Sequence, residues 1–262
     1  MSDMYNNPVQ RGFFPDPSVV RVGDDYYMAN STFQYFPAIA ISHSKDMIHW
    51  HVIGHAITDS EELDLRDIKD SHGIWAPDIN YIDGKYVMYY SLSKWGGGET
   101  CGIGVSVSDR PEGPFTDQGK LFRSNEIGVH NSIDPFYIED NGKKYLFWGS
   151  WYGIWGVELS EDGLSLKGGI ENAKATKIQV AANTGNTNAY EGSYILKRGD
   201  YYYLFCSTGT CCEGANSTYQ TVVCRSTNLF GPYVNKAGEK MNDNKHEVLI
   251  HKNDAFLGTG HN

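Results

Sequence analysis

One pattern recurs four times along the 262 residues of this chain, and a repeat of that length leaves few folds open. An acidic residue with Pro or Gly beside it is followed by a short apolar strand, a turn and an aromatic strand. The copies begin at Asp16 (DPSVVRVGDDYYM), Asp78 (DINYIDGKYVMYY), Asp134 (DPFYIEDNGKKYLFW) and Glu191 (EGSYILKRGDYYYLF), so the acids stand 62, 56 and 57 residues apart. Each turn pairs Gly with Asp, Asn or Arg (Gly23-Asp24, Asp83-Gly84, Asn141-Gly142, Arg198-Gly199), which is hairpin chemistry. The second halves recur as well: ISHSKDMIHW, VSVSDRPEGPF, GVELSEDGLSL and VCRSTNLFGPY each read as a strand, a polar turn and an aromatic return strand.

Four strands per unit make a propeller blade, so the expected fold class is an all-β propeller occupying residues 1–262 as one domain. The first strand of every blade lines the central channel, and equivalent residues near one end of it converge on the axis. Asp16, Asp78, Asp134 and Glu191 therefore become candidates for one funnel. For Asp78, which follows Ala76-Pro77, the stronger reading is a cap on a strand or turn.

Carboxylates that converge on an aromatic-lined concavity are the apparatus of glycoside hydrolysis. One protonated acid assists the leaving oxygen, and a second carboxylate activates water or attacks carbon. Phe33, Tyr35, Phe36, Trp75, Trp95 and Trp151 stand near the motifs and can offer flat apolar faces to sugar C–H groups. Other reaction classes lack their signatures: there is no G-x-S-x-G, P-loop, G-x-G-x-x-G or H-E-x-x-H.

Charge narrows the partners. With 22 Lys+Arg against 32 Asp+Glu the formal net charge is −10, which argues against nucleic-acid and anionic-membrane partners. No stretch approaches the roughly 18 apolar residues of a membrane span. The start, MSDMYNNPVQ, lacks signal-peptide character, an expectation of cytoplasmic location unless a leader has been removed. The five cysteines form no zinc pattern and read as buried thiols; adjacent Cys211 and Cys212 are closer along the backbone than a usual disulfide allows.

In combination these motifs resemble glycoside hydrolase family 43, from about Phe14 to the last residue. The resemblance implies a five-bladed propeller and an inverting mechanism. FPDPSV implies Asp16 as general base, NSIDP implies Asp134 as auxiliary acid, and YEGSYI implies Glu191 as general acid. Trp75 in IWAPDI matches a segment lining the family's substrate cleft, and Arg225 in VVCRS falls where it could hold Asp134 ionised. The candidate substrate-binding set is Phe33, Tyr35, Phe36, Trp75, Asn131, Ser132, Ser150, Trp151 and Arg225. GTGHN looks like the beginning of the fifth blade, where the family's arabinanases place a His beside an ion, usually calcium. His261 would be that residue, acting through water because calcium takes oxygen ligands.

The segment from Ser31 to Ile57 resembles the family's xylosidases and arabinofuranosidases, whereas HNSIDP, EGSYILKRGDYYYLF and CCEGANSTYQTVVCRSTNLFGPY resemble its arabinanases. The expected activity is hydrolysis of α-L-arabinofuranosyl linkages in arabinan or arabino-oligosaccharides. The alternatives are a β-1,4-xylosidase, an arabinoxylan arabinofuranosidase, and a non-catalytic sugar-binding propeller or inactive fragment. Counting about 57 residues per blade from Asp16, the fifth copy begins only near Gly258. The fifth blade is thus expected to be largely missing, to be completed by a longer chain, another polypeptide or a partner copy.

Overall fold

In the computed structural model, described for residues 5–59, 61, 63, 73–95, 97–182 and 190–261, each sequence copy is a four-stranded antiparallel sheet with its strands in chain order. Asn262, the last residue of GTGHN, lies outside the described residues. Blade 1 comprises β1 (Ser18–Val22), β2 (Asp25–Asn30), β3 (Ala38–Ser44) and β4 (His51–Ile57). Blade 2 comprises β5 (Ile74–Ile82), β6 (Lys85–Leu92), β7 (Gly102–Ser108) and β8 (Thr116–Arg123). Blade 3 comprises β9 (Phe136–Asp140), β10 (Lys143–Trp148), β11 (Ile154–Glu158) and β12 (Ile178–Ala181). Blade 4 comprises β13 (Glu191–Arg198), β14 (Tyr201–Thr208), β15 (Gln220–Ser226) and β16 (Glu247–Ile250). These four blades form an all-β propeller, with β1 packed on β5, β5 on β9 and β9 on β13.

The hairpins close where the sequence predicts. Asp83 and Gly84 both take positive φ (49° and 87°), as do Asn141 and Gly142 (52° and 72°). Two successive left-handed residues match the right-handed twist of the flanking strands, and Asn, Asp and Gly bear that conformation at least cost.

The second strand of each blade carries a run of apolar and aromatic residues because both of its faces are buried there. On β6, Tyr86, Met88, Tyr90 and Leu92 join a core with Ile39, Ile41 and Ile74 of blades 1 and 2. The alternate residues Val87 and Tyr89 face blade 3, in a core with Leu146 and Trp148. On β10 the pattern repeats, with Phe147 turned toward Leu204 and Val222 of blade 4. Side chains of a strand alternate between faces, so one strand serves two inter-sheet cores.

The outer strands depart from the expected pattern in blades 3 and 4. Leu166 of GLSL makes only an isolated bridge with Leu159, and the helix α1 (Gly169–Thr176) intervenes before β12. In blade 4 the chain returning through GPY makes only an isolated bridge with the third strand, Val234 to Arg225, and forms no return strand. Pro232 has no N–H to donate, Tyr233 is fully buried, and the outer strand is β16 instead.

Candidate active site

The chain kinks into left-handed backbone as it enters the inner strands. Asp16 (φ 52°) and Asp134 (φ 60°) each stand there immediately before Pro, and in blade 4 Gly192 (φ 55°) takes the turn directly after Glu191. Asp is among the few side chains that tolerate this region, and surrounding contacts must hold it there. Asn30 Nδ2 donates to the carbonyls of Phe14 (3.0 Å) and Pro15 (3.2 Å), which pins the segment carrying Asp16. Ser91 Oγ accepts the backbone N–H of Asp134 at 3.0 Å.

Blade 2 breaks the pattern. Aligned on the prolines Pro17, Pro77 and Pro135, the residue equivalent to Asp16 and Asp134 is Ala76, and Asp78 lies two residues further along. Ala76 lines the cavity that holds the three acids, while Asp78 lines the axial channel, a space of about 540 Å³. There Asp78 ties blades together. Its Oδ1 accepts from Ser18 Oγ (2.8 Å), and its Oδ2 accepts from Asn80 Nδ2 (2.8 Å) and the Tyr137 N–H (2.7 Å). Burial nevertheless pushes its carboxyl up to about 6, against those hydrogen bonds.

The three acids differ electrostatically. Burial alone would raise Asp16, but the His261 imidazole, with Nδ1 at 2.8 Å from Oδ1, and the hydroxyl of Ser31 hold it below the ordinary carboxylate range. Burial likewise works against a charged His261. Asp16 outweighs it, with Asp134 and Glu191 adding to the effect, and the imidazole is pushed up to about 10. Asp134 is pushed up to about 7 by burial, opposed by His261 and reinforced by the charges of Glu191 and Asp16. Its Oδ2 accepts the Gly192 N–H at 3.2 Å. Glu191 accepts from Tyr219 OH on Oε1 (2.6 Å) and from Ser150 Oγ on Oε2 (2.7 Å). At neutral pH the site therefore holds an ionised Asp16 beside a protonated His261, with Asp134 near its midpoint.

Around these groups lies a cavity of about 430 Å³, to which Phe33, Trp75, Asn131, Ser150 and Trp151 contribute walls. Phe33 stacks on Trp95 (12° between planes, centroids 5.9 Å apart), and Trp75 packs against both. Tyr35 and Phe36 do not reach this cavity. They line an adjoining groove of about 920 Å³ that shares Phe33 and Trp95 with it, and Tyr35 is 63% exposed.

Two candidates sit elsewhere. Ser132 is fully buried, its hydroxyl donating to the Val129 carbonyl (2.8 Å) and accepting from Trp148 Nε1 (3.1 Å), so it supports the core rather than the cavity. Arg225, on the third strand of blade 4, lays its guanidinium over the Tyr201 ring at 4.3 Å and does not pair with Asp134. The residues around His261 do not fit a directly ligated calcium. Its Nδ1 is engaged by Asp16, and no group of three or more His, Cys, Asp or Glu among the described residues is arranged to hold a metal ion.

Several contributors were not singled out from sequence. Tyr219 and Ser31 bond two of the acids, and each stands at a strand boundary inside a quoted motif, a place where strand periodicity gives no facing. Cys101, Cys206 and Cys224 are buried as expected, but Cys211 and Cys212 line the cavity, and Cys212 is exposed.

The profile of glycosyl hydrolases family 43 matches residues 5–262. A xylan 1,3-β-xylosidase of a Vibrio species is 34% identical over 241 residues, covering 89% of this chain and 42% of that protein. An extracellular exo-α-(1→5)-L-arabinofuranosidase of Cellvibrio japonicus is 34% identical over 260 residues, covering 94% of this chain and 74% of that protein. Among solved structures, the Cellvibrio cellulosa α-L-arabinanase complexed with arabinohexaose superposes with a TM-score of 0.82 at 29% identity, covering 96% of this chain and 82% of that one. The chain thus spans less than half of some relatives and about three quarters of others.

Proposed function

The chain belongs to glycosyl hydrolases family 43, and from that premise we propose that it hydrolyses α-L-arabinofuranosyl linkages in arabinan or arabino-oligosaccharides with inversion. The observation that carries this reading is the meeting of Asp16, Asp134 and Glu191 in one aromatic-walled cavity, with Asp16 held ionised. Asp16 takes a proton from a water whose oxygen bonds to the anomeric carbon. The bond from that carbon to the leaving oxygen breaks, and Glu191 gives that oxygen its proton. Asp134 positions Glu191 through the Gly192 N–H and adds negative charge beside it. Phe33, Trp75, Trp95 and Trp151 supply faces for sugar rings, and the adjoining groove with Tyr35 and Phe36 continues the same aromatic surface.

Glu191→Ala is expected to abolish arabinan cleavage while keeping oligosaccharide binding by calorimetry. NMR is expected to show a first-formed sugar of inverted configuration. Retained arabinan turnover in that variant counts against the assignment. The similarity to the Vibrio xylosidase favours a second reading, release of xylose; activity on aryl xyloside without activity on aryl arabinofuranoside selects it. A calcium ion belongs to either reading only as a water-bridged neighbour of His261, and a chelator that leaves activity intact removes it.

A fifth blade is part of the same proposal. His261 lies between Gly192 of blade 4 and Asp16 of blade 1, where a Cβ on Gly192 would come within 2.3 Å of the imidazole. That is the slot an inner strand of a further blade would occupy, supplied by a longer chain or a second one. A crystal structure of the whole protein with four blades closed directly on each other would refute it.

A further inference from the structure

The Glu191 carboxyl is gripped from both sides. Besides the bonds from Tyr219 and Ser150, Asn131 Nδ2 donates to Ser150 Oγ at 3.1 Å, which turns that hydroxyl's own proton toward Glu191. Tyr219 and Glu191 are both at least nine-tenths buried (7% and 9% exposed), so a lost donor leaves the carboxyl short of a partner at a cost.

Tyr219 is itself fixed by the segment that carries His261. Its carbonyl accepts the Thr259 N–H at 3.0 Å, and Gly260 lies so flat on its ring that a Cβ there would stand 2.4 Å from a ring carbon. One short segment thereby braces the base through His261 and the acid through Tyr219. Burial, and then the neighbouring Glu191 carboxyl, keep the phenol far above its ordinary titration range, so the hydroxyl retains its proton and donates.

We propose that Tyr219 is a positioning residue for the leaving-group acid: its hydroxyl, with that of Ser150, aims Glu191 and takes up the negative charge that develops there as the proton departs. This rests on the reading of Glu191 as the acid. A preorganised donor aimed at developing charge lowers the barrier without reorganising during reaction. The contribution therefore scales with how much proton transfer the leaving group demands, which a purely structural tyrosine would not do.

The test compares Tyr219→Phe with wild type on two substrates. Arabinotriose has a sugar alcohol as leaving group and requires the acid, whereas 2,4-dinitrophenyl α-L-arabinofuranoside leaves unassisted. Expected is a loss in kcat of about 10- to 100-fold on arabinotriose, within the range typical of acid–base and oxyanion contributions, with KM little changed. On the dinitrophenyl substrate the loss is expected to stay below about threefold, because little proton transfer is left to assist. Equal losses on both substrates, or none on arabinotriose, overturn the proposal. If Tyr219→Phe does not fold, Ser150→Ala carries the same comparison. Glu191→Ala run in parallel separates the two failures. If that variant cleaves arabinotriose normally, the acid reading itself fails; if it is inactive on arabinotriose but active on the dinitrophenyl substrate, only the Tyr219 result decides.

Discussion

Asp78 offers a test in which wild type and variant differ by one titrating group. Its carboxyl is buried at 7% exposure and holds its proton up to about pH 6, against an ordinary value of 3.8. The folded state therefore binds this proton more tightly than the unfolded chain. Its contribution to stability is full below 3.8 and is lost as pH rises through about 6. At about 1.4 kcal/mol per pH unit the whole change amounts to about 3 kcal/mol, of which about 2 kcal/mol falls between pH 8 and pH 4.5.

Asp78→Asn removes the titration and keeps the shape. The amide oxygen can accept from Asn80 and the Tyr137 N–H, and the amide N–H can donate to Ser18 Oγ, which already accepts the Ile79 N–H at 3.0 Å. Urea unfolding of both proteins at pH 4.5, 6 and 8 gives the difference between them, in which all other ionisable groups cancel to first order. Wild type should gain about 2 kcal/mol relative to the variant on going from pH 8 to pH 4.5. Arabinan activity should survive, since Asp78 faces the axial channel. Parallel stability profiles would refute the assignment of a buried, costly charge, and loss of activity without loss of stability would mean that Asp78 acts in the reaction.

Two further perturbations probe the walls and the proton inventory. Gly73 has φ +97°, and a Cβ there would stand 1.8 Å from the Phe33 carbonyl oxygen, across the bridge between Phe33 and Ile74. Gly73→Ala should cost about 2–4 kcal/mol in urea unfolding, the range for strain at a special backbone position, and raise KM by displacing Phe33; an unchanged unfolding midpoint refutes this. Asp134 gives up its proton as pH passes about 7, and the interacting acids titrate as one cluster. Only the ionised form carries the charge assigned to Asp134, so the acid limb of kcat/KM should rise near pH 7 and vanish in Asp134→Asn; a limb that stays in place counts against the role given to Asp134.

The repeat was readable because each copy carries its own hairpin chemistry, and turns such as Asp83-Gly84 need the left-handed backbone those residues tolerate. Convergence of Asp16, Asp134 and Glu191 follows from the repeat alone. Asp78 was drawn into the same set by aligning acid on acid, whereas the prolines fix the backbone register and place Ala76 there instead. The outer strands were less legible, since the chain inserts α1 before β12 and a long excursion before β16, and an outer strand's partner is chosen by packing rather than by a local turn. Ser132 and Arg225 stand in recognisable segments, but facing is decided by tertiary contacts with Trp148 and Tyr201. Tyr219 precedes its strand, where no alternation tells which way a ring points.

The alanine at position 76 has a consequence for the field inside the cavity. Blades built on one repeat could have surrounded the axis with like charges, leaving nearly balanced forces at the centre. Blade 2 instead presents a methyl group beside the apolar face of Trp75, while carboxyls stand on blades 1, 3 and 4. The opening is therefore lopsided, with the ionisable groups, His261 among them, on the other flanks and an apolar wall on the side of blade 2. A ligand with one greasy face and several hydroxyls meets a compass there: a near-symmetric scaffold acquires a preferred orientation from the one place where the charge was left out.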